Sequence, residues 1–367
     1  MTTAIRHPPA AGHDLREDID TRLSPLLPLL QTRAEPIDRS LEDPRRFLTE
    51  LAAQGMLAPD EGDSATPDSS LSSTAHLLSR IAEDCLTSAF AVWAHQMVID
   101  YLSRAPDNAQ NWQLLSELRH GQAVGSTAMA AGMKTLVGAG ELTVNGNLRP
   151  DGSLTLHGRI HWASNLVPGA IIVLPVQLDD GRQLVVRIGR DDPGVHIHPV
   201  TGLLALDATA SGGIVLDAAS VSPDAVISHD LRSFAAGFRP TFLIAQTSLA
   251  VGLARKSLAS SATFIDRPGN ASLEPLLQAR TTHFKDLENA WWESAQRPAR
   301  APLHDLLRTR LETSLLVGEI TRLELTLAGG GGYHALSGPA RRFREAAFFP
   351  VQSPSEGQLR WELSSSS

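Results

Sequence analysis

The chain has 367 residues, 42% of them hydrophobic, enough to bury a substantial core divided over two or three domains. Its formal net charge of −8, with no Lys/Arg-rich run, argues against nucleic acid or an anionic membrane surface as a partner. No apolar run approaches the ~20 residues of a bilayer span, MTTAIRHPPAAGHDLRED has no signal-type apolar stretch, and the single cysteine, Cys85, excludes a disulfide framework, so a soluble, cytoplasmic protein is expected.

The first part of the chain reads as helices. Apolar spacing recurs in LSPLLPLLQ, in RRFLTELAAQGML ending near Gly55, in LLSRIAEDCLTSAFAVWAHQMVIDYL, and in NWQLLSELRHG with a stop at Gly121. An N-terminal α-helical domain over residues 1–121 is expected, with Cys85 as a buried core thiol inside its helix. Between the helices, PDEGDSATPDSSLSS at 59–73 has the composition of an exposed, mobile loop, and Ser72, Ser73 or Thr74 is placed to cap the next helix.

From about residue 122 the period changes to two. ELTVNGNL and SLTLHGRIHWA flank a turn at RPDG; AIIVLPVQL, a DDGR turn, QLVVRIG, VHIHPV and GIVLDAASV follow. These make a central β-domain over 122–232. His196 and His198 fall on one strand face, but with no third ligand nearby a solvated face is the simpler reading than a metal site, and no metal is expected.

The period changes again near 233. RPTFLIAQTSLAVGLARKSLASSATF, LLQARTTHFKDLENAWWESAQ and PLHDLLRTRLETSLLVGEITRLELTL read as long helices of a C-terminal bundle over 233–367, in which Trp291 and Trp292 serve packing. The last of them stops at four glycines, Gly329 to Gly332, and an Arg-rich helix restarts after Pro339. Glycines expose backbone N–H groups, and Arg341, Arg342 and Arg344 follow closely, a combination that suits a dinucleotide pyrophosphate. The same run also serves as a plain helix C-cap and hinge.

The order α, β, α, with four segments at the expected places, resembles the acyl-CoA dehydrogenase superfamily. LTLHGRIHWASN at 154–165 looks like the strand that ends against the flavin ring; SGGIVLDAASVSPDAVI at 211–227 like the last strand of the β-domain; SLAVGLARKSLASSATF at 248–264 like the first long helix of the bundle; and LAGGGGYHALSGPARRFREA at 327–346 like the glycine turn that reaches the FAD of a neighbouring subunit. The resemblance implies an α+β protein with a helical N-terminal domain, a β-barrel-like centre and a four-helix bundle, assembled as a homodimer or homotetramer. It implies FAD, with FMN as the less favoured cofactor. Trp162 would lie against the isoalloxazine, Ser164 would hydrogen-bond at its N5 edge, Thr127 and Ala128 would cover the ring, and Arg267 with Gly329, Gly330 and Gly331 would meet the phosphates. Without the resemblance, Trp162 reads as a core or sheet-packing aromatic.

The chain departs from the superfamily at the base. Removing a C2 proton from an acyl thioester requires a carboxylate over the substrate. The usual position falls at Ser353 and the alternative one near Phe242, neither an acid. Glu356, three residues beyond Ser353, is the candidate catalytic base; read locally, it is a first-turn acid of a terminal helix capped by Ser353 or Ser355. Where the dehydrogenases carry Thr-Glu, this chain has Ala128-Met129.

The expected activity is therefore FAD-dependent oxidation of the CH–CH group of an acyl thioester or similar acyl substrate. The alternative is a flavin-dependent monooxygenase of the same fold, which uses reduced flavin and O2 on a small aromatic or other nucleophilic substrate and needs no carboxylate base. His95 or Ser126 would then face the pocket, although His95, on a long apolar helix, reads first as a satisfied core histidine. A non-catalytic flavoprotein is the third reading.

Overall fold

The computed structural model describes residues 15–58 and 67–365. The chain opens with helices α1 (Leu15–Leu23), α2 (Leu27–Asp38), α3 (Arg46–Ala53), α4 (Pro67–Asp84), α5 (Leu86–Ser103) and α6 (Ala109–Arg119). Strand β1 (Gly125–Thr127), the short α7 (Ala130–Leu136), and strands β2 (Val144–Leu148), β3 (Leu154–Ala163), β4 (Ile171–Leu178), β5 (Gln183–Gly189), β6 (Val195–Pro199), β7 (Gly212–Val221) and β8 (Val226–Ser228) follow. The remainder is helical: α8 (Leu231–Ala262), α9 (Glu274–Gln296), α10 (Leu303–Gly332), α11 (Gly338–Ala346) and α12 (Glu356–Ser365).

Helix α4 begins at Pro67, so Ser72 and Ser73 lie inside it and are buried rather than capping it. Proline at a first helical turn loses no intrahelical bond, which allows the earlier start. The expected loop at 59–73 is thus helical from 67 onward, and 59–66 lie outside the described residues. The long pattern 77–102 is broken at Cys85, whose extended backbone caps α5 while its sulfur accepts from the Ser88 N–H at 3.4 Å. Cys85 is buried, and desolvation pushes its thiol up to about 11, which keeps it protonated and unreactive.

Nearly every residue of α5 is buried, as expected of a helix that is apolar all round and enclosed by others. Helix α8 starts at Leu231, where Asp230 accepts from the Arg232 and Ser233 N–H groups, and runs on through Pro240, earlier than the apolar pattern alone indicates. It packs along both α4 and α10, and one hydrophobic core is shared by helices from the two ends of the chain. The approach to α4 is tight. A Cβ at Gly252 would lie 2.0 Å from the Ser79 carbonyl oxygen, so only glycine fits this crossing.

The strands form one mixed sheet in the order β6-β7-β3-β2-β4-β5-β8, with β1 added in parallel to β4, around a second core that includes Leu156, Ile172, Val176, Val186 and Leu216. His196 and His198 lie exposed on β6, and among the described residues no group of three or more His, Cys, Asp or Glu could hold a metal. Among them, too, no helix is long and apolar enough to cross a membrane. Trp291 is buried and donates to the Ile244 carbonyl and Ser248 hydroxyl, while Trp292 lies under the Arg16 guanidinium, so both pack the helices.

One irregularity positions the site. Between Ile160 and Ala163, β3 carries one residue more than β7, which runs only from Ile214 to Gly212. This β-bulge shifts the inside-outside alternation by one, so Trp162, which would otherwise face the core like Ile160, is turned outward and left 54% exposed.

Candidate active site

Trp162 forms part of the wall of a cavity of about 530 Å³ between the sheet and the helices. Ala163, Ser164 and the loop from Leu203 to Ser211 form one side; Thr127, Met129, Ala130 and Lys134 from β1 and α7 form another. Phe90 and Trp93 of α5, Phe242 and Gln246 of α8, Arg344 and the segment 347–353 close the rest. The aromatic part is continuous: Phe90 stacks on Trp93 at 5.2 Å, meets Phe348 edge-on at 5.0 Å, and Trp93 meets Phe242 at 5.4 Å. A shallower depression of about 610 Å³ between α6 and the sheet, where Arg187 is tied to Asn111, contains none of the expected site residues.

Ser164 Oγ lies 2.7 Å from Ser211 Oγ, which lies 2.7 Å from Thr209 Oγ1, and Thr209 donates to the Leu206 carbonyl. Since that carbonyl can only accept, the proton order runs from Ser164 to Leu206 and leaves the lone pairs of Ser164 for a cavity ligand. Thr127 is held by the buried Tyr101 hydroxyl at 3.2 Å. Asn165, in left-handed conformation, fixes the end of β3 by donating to the Ala91 and Gly125 carbonyls at 2.9 and 3.1 Å.

Other expected site residues lie elsewhere. Ala128 is buried in the sheet core, and its N–H is taken by the Val173 carbonyl at 2.9 Å. Ser126 is buried and donates to the Ser164 carbonyl at 2.6 Å. His95 is fully buried between the Leu118 carbonyl, to which Nε2 donates at 3.0 Å, and the Gly125 N–H, which Nδ1 accepts at 3.1 Å; burial brings its pKa down to about 4 and it stays neutral. Neither Ser126 nor His95 lines the cavity.

Glu356 is also outside the cavity wall. It stands in the first turn of α12, where the Ser355 hydroxyl accepts the Gln358 N–H at 3.3 Å, and its carboxylate accepts from Arg360 Nε at 2.9 Å. The geometry gives it the local role of a helix N-terminal acid. Among the described residues no Asp, Glu, His, Cys or Tyr lines the cavity, whereas Lys134 and Arg344 do.

The glycine turn forms a separate locus. Helix α10 does not stop at Gly329 but kinks there, with φ 66° and ψ −154°, and continues to Gly332. Gly329, Gly330 and Gly331 face open space, and Arg267 donates to the Ala328 carbonyl beside them at 3.0 Å, so these four expected contacts are together on the surface. The arginines behind the turn are committed inward. Arg342 is buried against Glu324, Arg341 donates to the Asp84 carbonyl at 2.8 Å, and Arg344 pairs with Asp38 at the cavity instead.

Sequence reasoning missed three wall residues, Trp93, Gln246 and Gln352, and took Ser353 only for the non-acidic occupant of the base position or a helix cap. Trp93, Gln246, Gln352 and Ser353 line the cavity, and Trp93 Nε1, Gln246 Oε1, Gln352 Nε2 and Ser353 Oγ are buried without a hydrogen-bond partner among the described residues. The available signal was a lone amide inside an apolar run, in FLIAQTSLAV and again in FFPVQSP.

Neither a protein-family model nor a curated protein sequence matches the chain. Solved structures do. Butyryl-CoA dehydrogenase from Megasphaera elsdenii is 15% identical, with 98% of this chain and 99% of that one covered and a TM-score of 0.84. A nitrososynthase from Micromonospora carbonacea var. africana is 19% identical, with 98% of each chain covered and a TM-score of 0.80. KijD3, solved with FMN and dTDP-3-amino-2,3,6-trideoxy-4-keto-3-methyl-D-glucose, is 18% identical over 97% of this chain and 94% of that one, with a TM-score of 0.79. With its helical N-terminal region, central mixed sheet and C-terminal helices in this order, the chain has the acyl-CoA dehydrogenase fold.

Proposed function

We propose that this chain is a flavin-dependent monooxygenase built on the acyl-CoA dehydrogenase fold. The observation that carries this reading is a cavity of flavin-and-substrate size whose wall, among the described residues, contains no carboxylate. Dehydrogenation of an acyl thioester needs such a base within reach of the C2 proton, and Glu356 is occupied with Arg360 away from the wall. A nitrososynthase among the structural neighbours supports the same direction, and KijD3, solved with FMN, supports a flavin.

The residues present fit a flavin. Trp162 offers a half-exposed indole face, which is costly to leave in water and suits stacking by a planar ring. Ser164 offers an acceptor to a ring N–H, the state of the N5 edge when the ring is reduced, and Thr127 a hydroxyl held by Tyr101. The surface locus of Arg267, Gly329, Gly330 and Gly331 suits the phosphates of a cofactor shared with a second copy of the chain, so a homodimer or homotetramer belongs to this reading. FAD uses that locus fully; FMN would use less of it.

When bound and reduced, the flavin supplies two electrons to O2, so that one oxygen atom passes to the substrate, the other leaves as water, and an external reductant restores the flavin. The chain's own part is to shelter and orient. Phe90, Trp93, Phe242 and Phe348 exclude water, Ser164 fixes a ring edge, and Lys134 favours electron-rich groups over cations, while the Arg344 charge is met by Asp38. The test is to load the protein with flavin, reduce it through an external reductase, and supply ¹⁸O₂ with a panel of small amines and phenols. Label in a product supports the reading. Failure to retain FAD or FMN at saturation would mean a non-catalytic protein of this fold.

A further inference from the structure

Three of the four unpartnered wall atoms have defined polarity, while the Ser353 hydroxyl can donate or accept. Gln246 Nε2 donates to the Ser353 carbonyl at 2.8 Å, and a carbonyl oxygen can only accept, so the free atom of this amide is its oxygen. Arg310 Nη2 donates to Gln352 Oε1 at 2.8 Å, and a guanidinium can only donate, so the free atom of the second amide is its NH2 group. The Trp93 indole N–H is a donor by nature. Gln246, Gln352 and Trp93 are 0%, 4% and 4% exposed, which makes each unpaired atom expensive, about 1–3 kcal/mol, unless a ligand meets it. They belong to one patch: Trp93 packs on Phe242 one helical turn from Gln246, and Gln246 holds the residue next to Gln352.

Arg310 sets the electrostatics of this patch. It is completely buried, donates to Ser314 and Gln352, and no carboxylate pairs with it among the described residues. An ammonium group beside Gln352 would meet this charge and leave two N–H donors unsatisfied. A carboxylate would be drawn toward Arg310, but with acceptors only it would turn lone pairs toward the Gln246 oxygen. A neutral carboxamide answers all three atoms, its oxygen accepting from Trp93 and Gln352 and its N–H donating to Gln246.

We propose that Trp93, Gln246 and Gln352 form a substrate subsite that selects a neutral carboxamide group over both a carboxylate and an ammonium. It names the substrate class of the cavity and rests on the monooxygenase reading for its role in turnover, but not for binding. The aromatic wall beside it favours a carboxamide attached to an apolar or aromatic body.

The experiment is isothermal titration of the full chain, with and without saturating FAD, using benzamide, benzoate and benzylamine as probes. Benzamide is expected to bind at least about tenfold more tightly than either charged probe. Gln246→Met should remove the acceptor and bring benzoate level with benzamide. Gln352→Glu keeps a partner for Arg310 while replacing the donor by an acceptor, and should weaken benzamide about tenfold; should melting show this variant unfolded, Gln246→Met alone carries the test. Benzoate or benzylamine binding as tightly as benzamide, no benzamide binding in the millimolar range, or an unchanged ratio in folded Gln246→Met would overturn the subsite. Benzamide selectivity in a protein that binds no flavin would retain the subsite and overturn the monooxygenase reading alone.

Discussion

Ser164 Oγ stands 2.7 Å from Ser211 Oγ, at the open end of a hydroxyl chain whose last proton goes to the Leu206 carbonyl. That order makes Ser164 an acceptor toward the cavity and favours a ligand edge that carries a proton. Ser211→Ala frees the Ser164 hydroxyl to donate instead. With about 1 kcal/mol for the hydrogen bond, the midpoint potential of bound flavin should fall by about 20 mV for a two-electron couple. A potential equal to that of the wild type in a redox titration would remove this chain from the flavin site.

Trp162 separates a stacking role from a packing role. At 54% exposure it contributes little to the core, so Trp162→Ala should change folding stability by only about 0.5 kcal/mol. Flavin affinity should fall about tenfold, with an altered absorption band. A large loss of thermal stability with an unchanged flavin spectrum would return Trp162 to the sheet.

The glycine locus makes a complementary prediction. A Cβ at Gly330 would meet no described atom within 4 Å beyond its own helix backbone and chain neighbours, so Gly330→Val should leave the protomer folded. Both Gly330→Val and Arg267→Ala should lower FAD affinity at least about tenfold, or 1.4 kcal/mol. FMN affinity should change less. Unchanged FAD binding in both variants would show that the phosphates lie elsewhere.

His95 predicts a pH effect on stability rather than on chemistry. Its folded pKa lies near 4 and below the ordinary value of 6.5, so between these values the unfolded chain binds the extra proton. Stability on this account is complete above about pH 6.5 and is lost as pH falls toward 4, by about 3 kcal/mol in total. Burial shifts Asp100 and Glu345 upward, in the opposite sense, so the informative quantity is the difference between wild type and His95→Gln. Chemical denaturation at several pH values should show that difference shrinking as the solution is acidified. A constant difference would contradict the buried neutral imidazole.

Much of the fold was legible because period-two and helical patterns alternate in long blocks, and because Trp162, Ser164 and the glycines stand at recognisable places. The bulge at Ile160–Ala163 was not, since strict alternation assigns Trp162 to the core and only the pairing with β7 reveals the extra residue. The break at Cys85 was hidden by the continuity of apolar residues across it. Arg341 and Arg342 looked available for phosphate because their partners, Glu345 on the same helix and Glu324 on α10, become neighbours only in the folded chain. The amides of Gln246 and Gln352 acquire a direction only from Ser353 and Arg310, contacts more than forty residues apart. Glu356 was a candidate only through its nearness to the base position that the resemblance gives, and the competing local reading, a first-turn acid of the last helix, agrees with its place in α12 and its pairing with Arg360.

The most direct measurement is the anaerobic absorption spectrum of the flavin-loaded protein before and after addition of a panel of acyl-CoA thioesters. A wall without a carboxylate among its described residues predicts that the oxidised flavin band persists with every thioester and bleaches only with an external reductant. Bleaching by any one thioester would contradict it and require a base beyond the described residues of this wall.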